Sequence, residues 1–243
     1  MDKIIKITTG LFVVILAVFV AVTGYTGYID NAYRSSLTST YSYSCTITTD
    51  SPLTNVTFFL PVPADQTGNS PVIAQISTRD LPGIPDEWNS ELFESGKSTL
   101  VKITIPSLVP PAETTAKNPY SVTFATNVTS DTIINTKDPV AESAMFRPVQ
   151  DMREIECEDR SVTASGGTCY SYLTSLYARY EADQNAVVTI RSSVTGKNQW
   201  TIFEPRENQY RTSIYLLMFG PQRGWTLTKG NLDAGMGEYD APQ

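Results

Sequence analysis

Two hydropathy patterns divide the chain. Residues 8–29 contain no charge, and residues 11–22 are an unbroken apolar run. Twenty-two residues of α-helix rise about 33 Å, enough to cross a hydrocarbon core of about 30 Å. In lipid a lone segment must satisfy its own backbone polar groups, and a helix does so. Beyond residue 40 the pattern switches to period 2. Tyr41, Tyr43, Cys45 and Ile47 alternate with Ser and Thr. Val56, Phe58, Leu60 and Val62 repeat the alternation after the turn signal Asp50-Ser51-Pro52. Such alternation predicts half-buried strands, and these two are expected to pair as a hairpin. Pro61 and Pro63 end the second strand or place it at an edge.

Further along, a short strand is expected over 72–77. A tight turn at Ser95-Gly96-Lys97 is expected to join strands at 91–93 and 99–105. Tyr120, Val122 and Phe124 mark another strand. Residues 131–168 are the least regular, with a helical turn expected at 142–146. Residues 170–180 read as a strand, although Tyr172, Leu176 and Tyr180 also have helical spacing. Strands over 187–194, 199–203, 210–219 and 225–229 then form a meander. Its expected turns lie at Thr195-Gly196-Lys197-Asn198, at 204–208 and at 220–224. No internal repeat is evident.

The pattern therefore predicts a mainly β protein: one transmembrane helix, then an immunoglobulin-like antiparallel β-sandwich. The expected divisions are a cytoplasmic end (1–7), the anchor (8–29) and a linker (30–40). A β-domain (41–231) and an acidic flexible tail (232–243) follow. Lys3 and Lys6 precede the apolar run, and the next basic residue is Arg34. That asymmetry orients the N-terminus to the cytoplasm and the β-domain outside, in a single pass of the cytoplasmic membrane. Tyr25 and Tyr28 fall where an interfacial aromatic belt belongs. Two alternatives share the same apolar segment. One is a signal peptide cut near Val22-Thr23-Gly24. The other is a prepilin-type leader cut after Gly10.

Charge and cysteine narrow the setting. The whole chain carries −7; Asp2, Lys3 and Lys6 contribute +1, so the outer part carries −8. An acidic surface argues against nucleic acid and anionic headgroups as partners. Of three cysteines, Cys157 and Cys169 flank Gly166-Gly167 and are placed to close a short loop in an oxidising compartment. Cys45 is then a buried strand residue, though its pairing with either of the others stays open.

The chain has no His. This removes Ser-His-Asp and Cys-His catalysis and all His-based metal sites. Gly96-Lys97-Ser98-Thr99 imitates the end of a phosphate-binding loop. The first glycine of that motif is replaced by Glu91, and a strand pattern follows, so a turn is expected and no nucleotide partner. Glu154, Glu156 and Glu158, with Asp151 and Asp159, form an acidic cluster. Its oxygens suit a hard cation such as Ca²⁺, but no Asp-x-Asp-x-Asp-Gly loop is present, and a solvated loop with no cofactor is the expectation. Asn55-Val56-Thr57 and Asn127-Val128-Thr129 are N-glycosylation sequons. Trp200, Phe203, Tyr210, Tyr215, Phe219 and Trp225 suit either a ligand platform or a core, with the core expected.

Three segments carry a resemblance. They are Asn55-Val56-Thr57-Phe58-Phe59-Leu60-Pro61-Val62-Pro63, Gly196-Lys197-Asn198-Gln199-Trp200 and Gly220-Pro221-Gln222-Arg223-Gly224-Trp225. With the N-terminal anchor, the chain resembles uncharacterised membrane-anchored surface proteins of methanogenic archaea. The resemblance implies an archaeal cell envelope and no catalytic residue. The expected function is a non-catalytic envelope protein whose partners are the bilayer and other envelope proteins or copies of itself. A pilin-like filament or membrane-complex subunit is the alternative, and a metal-assisted enzyme using the Glu154 cluster is a third.

Overall fold

A computed structural model describes residues 2–77, 82–95 and 98–239. Helix α1 spans Asp2–Ser36, and one residue later β1 begins, Thr38–Thr49. The linker expected at 30–40 is therefore absent as a separate unit. No Pro or Gly follows Gly27 before Ser36 to stop the helix. Asp30 and Arg34 add an i,i+4 ion pair at 3.0 Å on the exposed last turns, where such a pair supports helix.

The remaining elements are β2 (Leu53–Pro61), β3 (Pro63–Ala64), α2 (Ile73–Ser77), β4 (Asn89–Ser95), β5 (Ser98–Leu108) and β6 (Tyr120–Ser130). Then come α3 (Pro139–Glu142), β7 (Met145–Phe146), β8 (Gln150–Ile155) and α4 (Arg160–Ala164). Four long strands finish the fold: β9 (Thr168–Glu181), β10 (Val187–Thr201), β11 (Pro205–Phe219) and β12 (Gln222–Gly237). The strand expected at 72–77 is the short helix α2. The helical turn expected at 142–146 lies earlier, at α3, and is followed by β7. Residues 170–180 form a strand, as read.

Hydrogen bonding runs unbroken through β4-β5-β2-β9-β12-β11-β10-β1-β6, with β8 added beside β9 and a separate β3-β7 pair. The strands that were expected as two facing immunoglobulin-like sheets thus make one curled antiparallel sheet. The β1–β2 hairpin does not form: β1 pairs with β10 and β6, whereas β2 pairs with β5 and β9. Four Cα steps separate Thr49 from Leu53, a reach of at most about 14 Å. Five strand spacings separate β1 from β2 in the order, about 24 Å if flat. The sheet must curl to bring them together. Asp50 fixes the junction: its Oδ1 accepts from Val187 N–H at 2.9 Å, and its own N–H donates to Val187 O at 3.3 Å.

The core fills the inside of the curl. Tyr43, Cys45, Ile47, Phe58, Ile103, Tyr172, Leu176, Ile190 and Tyr210 are all buried in one cluster. Cys157 and Cys169 form a disulfide, with Cα atoms 5.3 Å apart, and Cys45 is free and buried. Two further expectations fail. Thr195-Gly196-Lys197-Asn198 is no turn but the middle of β10, paired residue for residue with β11. The tail expected over 232–243 is strand in its first half: residues 232–237 close β12, where Leu232 and Ala234 are buried, and residues 240–243 lie outside the described residues. Gly235 N–H then donates to Thr136 O at 2.9 Å. Apolar positions at 232, 234 and 236 carry the strand alternation that the acidic composition conceals.

Candidate functional site

Three surfaces collect the chemistry-bearing residues. The first is the junction between α1 and the sheet. Among the described residues, α1 is the one helix long and apolar enough to cross a membrane, and its most apolar window is wholly unburied. The helix is not loosely tethered. Ser36 Oγ accepts from Thr201 N–H at 2.9 Å, and its one hydroxyl proton is within reach of Thr201 O at 2.9 Å and of Ala32 O in its own helix at 2.6 Å. Tyr33 stands edge-on to Trp200 with ring centroids 5.6 Å apart. Five residues earlier on the helix, Tyr28 meets Phe203 at 6.3 Å. The end of β10 and the hairpin tip beyond it therefore run back along the helix.

The second surface is the outer face of β1, β10 and β11. A hollow of about 350 Å³ is lined by Thr46, Thr48, Asp50, Thr189, Arg191 and Tyr215 among others. A second, of about 430 Å³, shares Arg191 and Tyr215 and reaches Arg211, Asp233, Glu156, Glu158 and Asp159. Arg191 lies over the Tyr215 ring, 5.4 Å from its centroid. Arg211 is engaged by Asp233 at 2.9 Å and Asp159 at 3.9 Å. Asp159 accepts from the Ser161 hydroxyl and N–H at the start of α4. Those bonds, with Arg211 as a lesser cause, hold its carboxyl below the ordinary range. Hydroxyls, guanidinium groups and carboxylates together suit a polar ligand.

The acidic cluster is not gathered at one point. Glu154 is on β8, opposite Tyr170; Glu156 lies between β8 and Cys157, and Glu158 lies inside the loop that the disulfide closes. Asp159 is turned aside to cap α4. Among the described residues, no group of three or more Cys, Asp or Glu converges as a metal site. The sequons are accessible. Asn127 is exposed on β6, and Asn55 is exposed at a bulge in β2 with φ 53°. Gly96 and Lys97, the mimic of a phosphate-binding loop, lie outside the described residues.

The third surface is aromatic. Of the six aromatics singled out in the sequence, Trp200 and Tyr210 are buried, but Phe203, Tyr215, Phe219 and Trp225 are exposed. Trp225 belongs to a chain of rings on the outer sheet face: Phe93–Phe59 at 5.0 Å, Phe59–Tyr177 at 5.3 Å and Tyr177–Trp225 at 5.5 Å. Period-2 reading missed Phe59 and Tyr177 as surface residues. The available signal was the triplet Phe58-Phe59-Leu60, whose unbroken apolarity puts one large side chain on each face. Arg191 and Arg211 were likewise missed, because isolated arginines on strands carry no motif.

No protein-family model, curated protein or solved structure matches the chain.

Proposed function

We propose that this chain is a non-catalytic, membrane-anchored protein of an archaeal cell envelope. Its curled β-domain stands outside the cytoplasmic membrane, N-terminus inside, and makes structural or binding contacts there. The observation that carries the reading is the passage of α1, whose apolar segment is exposed on every side, into β1 after the single residue Leu37. Exposed apolar side chains around a whole helix circumference require lipid or other helices. The Cys157–Cys169 disulfide supports an oxidising compartment. Exposed Asn55 and Asn127 are available for glycosylation there.

Topology mapping tests this. In intact cells the β-domain is expected to be digested by added protease, and the full-length chain to remain in the membrane after carbonate washing. A domain protected until lysis, or a native mass lacking the apolar segment, overturns the reading.

A second reading is a pilin-like filament subunit or a subunit of a membrane complex. It draws on the length of α1, 35 residues or about 52 Å, which exceeds what a bilayer core needs. It also draws on Gly24 and Gly27, whose surroundings are open within 4 Å and permit close helix approach. Sizing after detergent extraction separates the two: a discrete monomer supports the anchor, and a large regular assembly supports the filament.

A further inference from the structure

We infer that the β10–β11 hairpin tip is a second membrane contact, in which Phe203 enters the outer headgroup layer of the bilayer that α1 crosses. The inference rests on the anchor reading of α1 and adds to it a fixed seat for the domain. Three contacts align the hairpin with the helix in descending order: Thr201 on Ser36, Trp200 on Tyr33 and Phe203 on Tyr28. Tyr28 lies inside the charge-free segment 8–29, one residue short of its end, and Asp30 is the first charge after it. The level of Tyr28 is therefore the level of the outer interface, where aromatic side chains concentrate. Whatever touches Tyr28 from the side shares that depth.

Phe203 has the chemistry for that place. It is 67% exposed at the apex of a hairpin, so most of its ring is left uncovered beyond the contact with Tyr28. Its neighbour Ile202 is half-buried, and Glu204 beyond it is exposed. An aromatic tip bordered by a carboxylate fits the headgroup layer and stops short of the hydrocarbon. The bond from Thr201 N–H to Ser36 Oγ and the Tyr33–Trp200 ring contact hold the tip at this height, so the contact is preformed. The exposed ring cluster around Trp225 belongs to the opposite ends of the strands. Trp225 is near the start of β12 and pairs with Tyr177 toward the end of β9, whereas Phe203 joins the end of β10 to the start of β11.

The test uses the full-length chain in lipid nanodiscs of neutral phosphatidylcholine. Phe203→Cys offers one reactive thiol, since Cys45 is buried and Cys157 and Cys169 are bonded to each other. It is labelled with an environment-sensitive fluorophore and compared with Trp225→Cys. Label at 203 is expected to be quenched several-fold more strongly by headgroup spin-labelled lipid than label at 225, and less by aqueous iodide. Glu204→Cys, which keeps Phe203, is expected to report the same depth. Equal quenching at 203, 204 and 225 in chains that do enter the discs overturns the tip contact and leaves the anchor standing. Chains that fail to enter the discs overturn the anchor and the tip contact together.

Discussion

Asn198 shows how much one side chain can hold together. It is 3% exposed and uses its whole amide. Oδ1 accepts from Ser39 Oγ at 2.7 Å and from Ile134 N–H at 3.0 Å, while Nδ2 donates to Ile134 O at 2.8 Å and Asn208 Oδ1 at 2.9 Å. Asn208 Oδ1 accepts in turn from Thr136 Oγ1, which meets the Tyr239 hydroxyl. Removing the amide leaves several buried groups without partners, at about 1–3 kcal/mol for each group stranded. Asn198→Ala is therefore expected to cost roughly 2–4 kcal/mol in urea unfolding, and a loss within 0.5 kcal/mol, the range of an ordinary surface change, would remove the network's importance. Cys45 makes a different prediction. Burial pushes its thiol from 9.0 up to about 12, and burial raises the hydroxyls of Tyr43, Tyr172 and Tyr210 as well. The folded chain keeps protons that the unfolded chain releases, so this stability is complete below pH 9 and is lost as pH climbs toward 12. The slope is on the order of 1 kcal/mol per pH unit for each group once its unfolded form ionises. Urea midpoints between pH 8 and 11 are expected to fall above pH 9, and to begin falling later in Cys45→Ala. A midpoint unchanged to pH 11 contradicts the assignment.

At the scale of elements, β10 explains both what the sequence made legible and what it hid. Its ends, 187–194 and 199–201, alternate cleanly and were readable. The segment Thr195-Gly196-Lys197-Asn198 carries turn-forming residue types for reasons other than a turn. Gly196 faces Tyr210 across the β10–β11 ladder, and a Cβ there would overlap the Tyr210 ring and crowd Ile134. Asn198 is present for its amide. Propensity reports local preference, and here packing against distant residues decided both identities. The same cause hid the continuity of α1 with the domain. Asp30-Asn31-Ala32-Tyr33-Arg34-Ser35-Ser36 reads as a polar spacer, yet Tyr33 and Ser36 serve contacts with residues 200 and 201. Ser36→Ala removes the acceptor of the Thr201 N–H, a bond worth about 1 kcal/mol. Amide exchange at Thr201 in the full-length protein is expected to speed up accordingly, while exchange in β1 and β11 stays slow. Uniform acceleration across the sheet would mean that Ser36 supports the fold and not the junction alone.

At the scale of the whole molecule, the curled sheet joins strands far apart in the chain. Strand β9 takes β2 and β8 on one side and β12 on the other, and β1 meets β10. No local pattern encodes such pairings, which is why individual strands were readable and their order was not. The acidic cluster is a related case: its spacing was visible, but not the disulfide loop and helix cap that pull its members apart. That loop is a separate layer on the sheet. Val162, Cys169 and Met236 form a small buried cluster apart from the main core, with Ile155 and Cys157 packed against it. The bond from Cys157 to Cys169 spans 12 residues and is expected to contribute up to about 3 kcal/mol by limiting the unfolded loop. Because the cluster is separate, reduction should first free the region around α4. Exchange at residues 156–167 is expected to accelerate under reductant at concentrations of denaturant where Tyr43, Ile190 and Tyr210 remain protected. If reduction instead releases all of these together, the loop is part of one cooperative unit with the curl, and the acidic segment is fixed as rigidly as the sheet beneath it.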